Sequence, residues 1–216
     1  MSITSSYRSS EVIIPILYKH YMKEELERLD EAKDPRVIYV TDLVACTHKF
    51  KLRKIYPELT FRFEPAAIIG NLIHEGLGQI LVSEGYDIEY SIEEEFEIDG
   101  QKYIIKGRVD AYHKDKGIVV EIKSGRDTSN KPLPHHIQQL QVYLNILNAN
   151  TGILVYITPE GFLEYSINKE KMNIKSMVRA LVRDEIHPKW EWECRYCIFR
   201  KICSYSLVQR RTSNTS

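Results

Sequence analysis

Asp110 ends the run Gly107-Arg108-Val109-Asp110, and after ten intervening residues comes Glu121-Ile122-Lys123. In a strand, alternate residues share a face, so Glu121 and Lys123 point the same way while Ile122 points into a core behind them. A hairpin between the two stretches brings Asp110 alongside Glu121. Two carboxylates on one face suit a hard divalent cation that prefers oxygen ligands and keeps waters. A lysine beside those waters can orient one of them, help to deprotonate it, or neutralise a phosphate. A Lewis acid, an oriented water and an electrostatic clamp together are what hydrolysis of a phosphodiester needs. A lone E-x-K would otherwise read as a cross-strand charge pair on a surface hairpin.

Further along, Gln139 and Tyr143 lie four apart, on one face of a helix. Each stands one position before a core leucine, Leu140 or Leu144, where a helix can edge a cleft. Gln139 could bond a phosphate or the site's backbone; Tyr143 could stack on a base or hold Lys123. His74 sits beside the apolar face of an earlier helix and becomes relevant if that helix faces the carboxylates. His135 and His136 start the Gln139 helix and could meet DNA. Cys194, Cys197 and Cys203 form C-x2-C-x5-C, and the remaining cysteine, Cys46, lies far upstream. Four thiolates serve either zinc or an iron–sulfur cluster, and spacing alone does not separate them. The four would clamp the beginning of the fold to its end.

The elements that must position these residues follow from pattern and punctuation. Ile16 to Lys33 reads as a charged helix stopped by Pro35, and Val37 to Val40 as a short strand. Thr41 or Asp42 can cap a helix carrying Cys46 and the basic stretch Lys49, Lys51, Arg53 and Lys54, ending at Pro57. Ala66 to Ser83 is a helix with Ile69, Ile73, Leu77 and Ile80 on one face. Its glycines at 70, 76 and 78 weaken it, which hints at close packing. Ile88–Ile98 and Tyr103–Ala111 are strands joined by the turn pair Asp99-Gly100, and Gly117–Lys123 is the next. A helix from the prolines at 132 and 134 to about Asn148 has Ile137, Leu140, Leu144 and Leu147 as its stripe. Strands at Ile153–Thr158 and Leu163–Ile167 and a helix at Asn173–Ile186 lead to the cysteines. The pattern is α/β: a mixed central sheet flanked by helices, with a C-terminal cysteine segment.

The chain has 216 residues, 30 basic and 30 acidic, and a formal net charge of zero. At 43% hydrophobic and 28% charged it has the composition of a globular protein rather than a disordered one. No apolar run is long enough to span a bilayer and no leader is visible, so a cytoplasmic protein without membrane attachment is expected. Zero net charge argues at first against a nucleic-acid partner. It is, however, a sum of unlike blocks. Residues 81–100 hold eight acids and no lysine or arginine, whereas residues 171–216 hold ten basic groups against four acidic ones. A basic C-terminal face beside Lys49 to Lys54 is compatible with a DNA strand along the cysteine-bearing side.

G-x-x-D, E-x-K and Q-x-x-x-Y in this order resemble the RecB-like branch of the PD-(D/E)XK nuclease superfamily, over roughly Val40 to Cys203. With one early and three late cysteines the chain resembles the CRISPR-associated RecB-like exonuclease family. The superfamily's proline is absent, Val109 preceding Asp110, as is common in that branch. The resemblance implies a restriction-endonuclease-like core in which His74, Asp110, Glu121 and the Ile122 carbonyl hold Mg or Mn. It makes Lys123 the catalytic lysine, with Gln139 and Tyr143 in support. Cys46, Cys194, Cys197 and Cys203 would hold a 4Fe-4S cluster. The domains are then an N-terminal helical segment (1–40), the nuclease domain (41–190), the cysteine segment (191–207) and a flexible tail (208–216). The implied activity is 5′ exonucleolytic cleavage of single-stranded DNA during CRISPR spacer acquisition, alongside a CRISPR integrase complex, with homo-oligomers open. Two alternatives are a structure-specific DNA endonuclease and a non-catalytic DNA-binding module with a zinc knuckle.

Overall fold

A computed structural model describes residues 11–60 and 64–210; residues 1–10 and 211–216, parts of the expected N-terminal segment and tail, lie outside them. Helix α1 (Ile13–Lys33) ends at Asp34, whose extended backbone precedes Pro35. Strand β1 (Val37–Tyr39) follows. The single helix expected to carry Cys46 is two: α2 (Val40–Leu43) and α3 (Thr47–Ile55), with Cys46 at the N-cap of the second. Asp42 lies inside α2 and accepts the Tyr39 backbone N–H at 2.8 Å, closing the helix start. Helix α4 (Pro65–Ser83) begins on its proline, whose missing N–H is an orphan donor at that position anyway.

Asp99 and Gly100 both take positive φ (52° and 79°), so they turn the chain tightly between β2 (Asp87–Ile98) and β3 (Gln101–His113). Strand β4 (Ile118–Ser124), helix α5 (Pro134–Ile146), strands β5 (Thr151–Thr158) and β6 (Gly161–Asn168), and helix α6 (Ile174–Arg183) complete the core. Helices α7 (Glu193–Tyr196) and α8 (Leu207–Arg210) belong to the cysteine segment and its end.

The strands form one mixed sheet in the order β1-β3-β4-β5-β6, with β2 on the other edge of β3. Helices α5, α2 and α6 cover one face, where Leu140, Leu144, Val178 and Leu181 pack on Val109, Val119 and Leu154. Helix α4 covers the other, with Ile73, Leu77 and Leu81 against Ala111, Val120 and Ile122. The α4 stripe is therefore shifted from the expected one. Ile69 and Ile80 are 59% and 63% exposed, because the glycines at 70 and 78 turn the closely packed side of the helix away from them. A Cβ at Gly70 would come within 2.9 Å of Ser124 Oγ and one at Gly78 within 3.6 Å of Ile88, while at Gly76 it meets nothing.

Strand β3 has two neighbours on one edge. It pairs with β1 in parallel through residues 104–106 and with β4 in antiparallel through residues 111–113. Between them, at 107–110, neither strand is paired. The β2 ladder also skips Asp110 and its opposite number Glu89, which has φ 51°. Val109 and Ala111 would share a face in a regular strand, yet here they enter cores on opposite faces. Gly107 is required by close approach: a Cβ there would stand 2.8 Å from both Tyr143 and Val40. Gly107→Ala is expected to lower stability by about 1–3 kcal/mol through overpacking. Gly76→Ala, on an open helix surface, should raise it by about 0.5–1 kcal/mol. Denaturant unfolding of the two variants checks both signs.

Candidate active site

Gly107, Arg108 and Asp110 of that interval line a cleft of about 1020 Å³, together with His74, Glu121, Gln139 and Tyr143 of the expected set. Glu121 is 3% exposed. Its Oε1 accepts from Lys123 Nζ at 2.6 Å and from Gln139 Nε2 at 2.8 Å. Lys123 Nζ also donates to Gln139 Oε1 at 3.1 Å, so the three side chains close a triangle. Glu121 Oε2 is buried with no hydrogen-bond partner. Asp110 stands beside it. Its Oδ2 accepts the Ile122 backbone N–H at 2.6 Å, in place of a strand carbonyl, and its Oδ1 lies 3.2 Å from His74 Nδ1. Helix α4 thus faces the carboxylates, which brings His74 into the site.

Electrostatics follow from this crowding. Burial pushes the Glu121 carboxyl above the usual carboxylate range; Lys123 opposes the shift and Asp110 adds to it. Burial also works against a charged His74, but the hydrogen bond and charge of Asp110 outweigh it and leave the imidazole pKa raised. Tyr143 is buried rather than open to a base: its hydroxyl donates to the Arg108 carbonyl at 3.1 Å inside the unpaired interval, and burial drives its pKa up. Gln139, also buried, serves Glu121 and Lys123 rather than a phosphate directly. The far wall of the cleft is α1, through Leu29, Glu31 and Ala32, with Tyr39, Arg53 and Lys106 below it. Lys106 pairs with Glu31, and Arg53 Nη2 donates to Asp42 Oδ2.

The PD-(D/E)XK nuclease superfamily model matches residues 82–204, the span that supplies the carboxylates, the lysine and the late cysteines. The chain belongs to this superfamily. Within it, the CRISPR-associated exonuclease Cas4 of Saccharolobus solfataricus is 41% identical over 199 residues, covering 87% of this chain and 97% of that protein. That likeness places the chain in the CRISPR-associated RecB-like exonuclease family. The crystal structure of SSO0001 superposes with a TM-score of 0.84 at 38% identity, over 91% of this chain and 98% of that one. An alkaline exonuclease from Laribacter hongkongensis shares the fold alone, with a TM-score of 0.50 at 11% identity over 87% of this chain and 100% of that one.

In this nuclease the four cysteines, none in a disulfide, line one small cavity beneath Leu52 and Phe199. Burial raises the Cys46 thiol pKa to about 11, and burial likewise raises that of Cys203. Among the described residues, no three His, Cys, Asp or Glu side chains are arranged to hold a metal ion outright. Glu193 pins the segment: Oε1 accepts the Cys46 N–H at 2.9 Å, and Oε2 accepts those of Lys189 and Trp190, each at 2.9 Å. Sequence reasoning missed this clamp, whose only local signal is an acid next to Cys194. It also assigned the basic stretch to DNA. Lys54 instead donates to the carbonyls of Ala32, Asp34 and Val37, Lys51 faces Asp184, and Arg53 is held by Asp42.

Removing the Tyr143 hydroxyl would delete the part-buried hydrogen bond to the Arg108 carbonyl. Tyr143→Phe is therefore expected to cost about 0.5–1.5 kcal/mol of stability. Thermal unfolding measures this, and an unchanged midpoint would count against the contact.

Proposed function

We propose that this nuclease hydrolyses single-stranded DNA from the 5′ end with Mg or Mn, trimming spacer precursors beside a CRISPR integrase. The observation that carries the reading is the unpartnered, buried Oε2 of Glu121 beside Asp110. A buried acceptor left unmatched is costly, and a divalent cation shared with Asp110 would satisfy it. The donor set fits such an ion: two carboxylates, the neighbouring Ile122 carbonyl and His74. A cation held there would supply Lewis-acid chemistry, polarising a phosphodiester oxygen and making a nearby water easier to deprotonate.

The chain's own residues account for the remainder. Lys123 lies at hydrogen-bond range of Glu121, where its ammonium can orient the attacking water and neutralise charge developing on the scissile phosphate. Gln139 fixes the separation of Glu121 and Lys123 by donating to one and accepting from the other. Tyr143 is a positioning residue that acts through the Arg108 carbonyl, holding the interval that carries Asp110. Exonuclease activity and the CRISPR setting are supported by likeness to the Saccharolobus protein, and DNA as substrate, the single strand and its polarity by the family resemblance of the motifs.

The same reading assigns a 4Fe-4S cluster to Cys46, Cys194, Cys197 and Cys203. The donor chemistry fits: four thiols around one cavity, with apolar packing behind.

With manganese and end-labelled single strands, Glu121→Gln and Lys123→Met should each reduce cleavage by at least ~100-fold, the scale of losing one electrostatic group of this kind. Circular dichroism should be unchanged. Full activity in the double variant ends the proposal, and cutting of closed circular single strands favours the endonuclease alternative. Manganese should also raise the parent's melting temperature, by about 2.7 kcal/mol of stabilisation at a hundred times Kd, and not that of Asp110→Asn. Anaerobically purified protein should show broad visible absorption that Cys46→Ala loses, together with several degrees of Tm. A colourless parent carrying zinc on elemental analysis would replace the cluster with a zinc knuckle.

A further inference from the structure

Beyond the cleft, one group of side chains has no role in the chemistry above. His135 stands on α5 one helical turn before Gln139, on the same face. Its ring lies 4.8 Å from that of Trp192, and Trp192 lies 6.5 Å from Tyr196. The row thus runs outward from the Lys123–Gln139 contact across the cysteine segment. Burial lowers the His135 imidazole pKa and the Lys123 charge adds to the shift, while Glu193 opposes it.

The outer rings are not core. Trp192 is 42% and Tyr196 76% exposed, whereas the neighbouring Trp190 is anchored through Nε1 to the Val44 carbonyl. Arg195, Arg200 and Lys201 are exposed in the same segment, residues 191–207, whose one exposed acid is Glu191. Aromatic faces interleaved with cations, leading from a hydrolytic site, match an unpaired strand with its bases stacked and its phosphates on the basic groups. A duplex offers no free base faces.

We propose that His135, Trp192 and Tyr196 form a stacking shelf for consecutive bases of a single strand whose scissile phosphate lies at Glu121 and Lys123. The shelf rests on the single-strand reading above and extends it to residues outside the cleft. It sets affinity for unpaired DNA and leaves the chemical step to the carboxylates and lysine.

The chain has two tryptophans, so indole emission reports directly on the shelf. Without divalent metal, oligothymidylate should quench the parent and Trp190→Phe, and quench Trp192→Phe far less. Trp192→Ala and Tyr196→Ala should each weaken oligothymidylate binding by about 5- to 100-fold, with Trp192→Phe within about twofold of the parent. Binding of a duplex should be the same in all of them. Equal melting temperatures for Trp192→Phe and the parent show that the fold is intact. Unchanged single-strand affinity in both alanine variants, or quenching that survives in Trp192→Phe, overturns the shelf while leaving the hydrolytic reading in place. Loss of affinity in the alanine variants alongside full cleavage by Glu121→Gln/Lys123→Met would keep the shelf and remove that reading instead.

Discussion

Strand β3 must serve two partners on a single edge, and between them residues 107–110 lack a strand neighbour on that side. Backbone groups buried there still need partners. Two side chains supply them: Asp110 takes the Ile122 N–H that a strand carbonyl would have taken, and the Tyr143 hydroxyl reaches the Arg108 carbonyl. The gap in the ladder and the site are therefore one feature. It tips Asp110 out of the regular alternation and toward Glu121, and it leaves the opening through which a substrate can approach. Gly107 belongs to the same constraint, since Tyr143 and Val40 fill the volume that any side chain there would claim.

Charge at the floor of the cleft is nearly balanced but not wholly matched. Two carboxylates face one lysine and one histidine within a buried space. Taking ions out of water is expensive unless their remaining hydrogen-bond sites are filled. Lys123 and Gln139 fill Oε1 of Glu121, and His74 and Ile122 fill the oxygens of Asp110. What is left over is a single acceptor, Glu121 Oε2. Burial raising the Glu121 pKa and Asp110 raising that of His74 are two sides of the same condition. An added positive charge between the carboxylates relieves the first and weakens the second.

Much of this was legible from residue order because the local signals are strong. Asp99-Gly100 marks a hairpin, and E-x-K within a β-branched run fixes which side chains share a face. The core stripe of α5 is clear from its leucines. Less legible was anything that depended on partners distant in sequence. The α4 stripe was misplaced by one position at its ends because glycine packing, not apolar spacing, chooses the buried side. Cys46 reads as helical because nothing nearby reveals that Glu193 takes its N–H. Tyr143 reads as a residue that could stack on a base, since its hydroxyl's partner is a carbonyl 35 residues earlier. Lys54 looks like a DNA contact, yet three backbone carbonyls, in α1, in the turn after it and in β1, consume its donors.

The cysteine segment shows how two closures of the same loop can divide their work. A polar seam already joins residues 43–48 to 184–193. Thr47 N donates to the Ile186 carbonyl at 2.8 Å, and Ile186 N returns to Thr47 Oγ1 at 3.0 Å. His48 and Asp184 meet at 2.7 Å, and Lys189 Nζ reaches the Leu43 carbonyl at 2.9 Å. Glu193 ends the seam on Cys46. The entropic penalty for bringing these distant stretches together is therefore met before any sulfur ligand acts, and it grows only slowly with loop length. Beyond Glu193, the packing of Leu52, Phe199 and Cys203 is a small satellite cluster. A metal held by the four thiols would thus matter most to residues 194–206, the stretch that carries Tyr196 and the exposed cations, and less to the nuclease core. On this division, ligation shapes the surface next to the cleft, while hydrogen bonds secure its attachment.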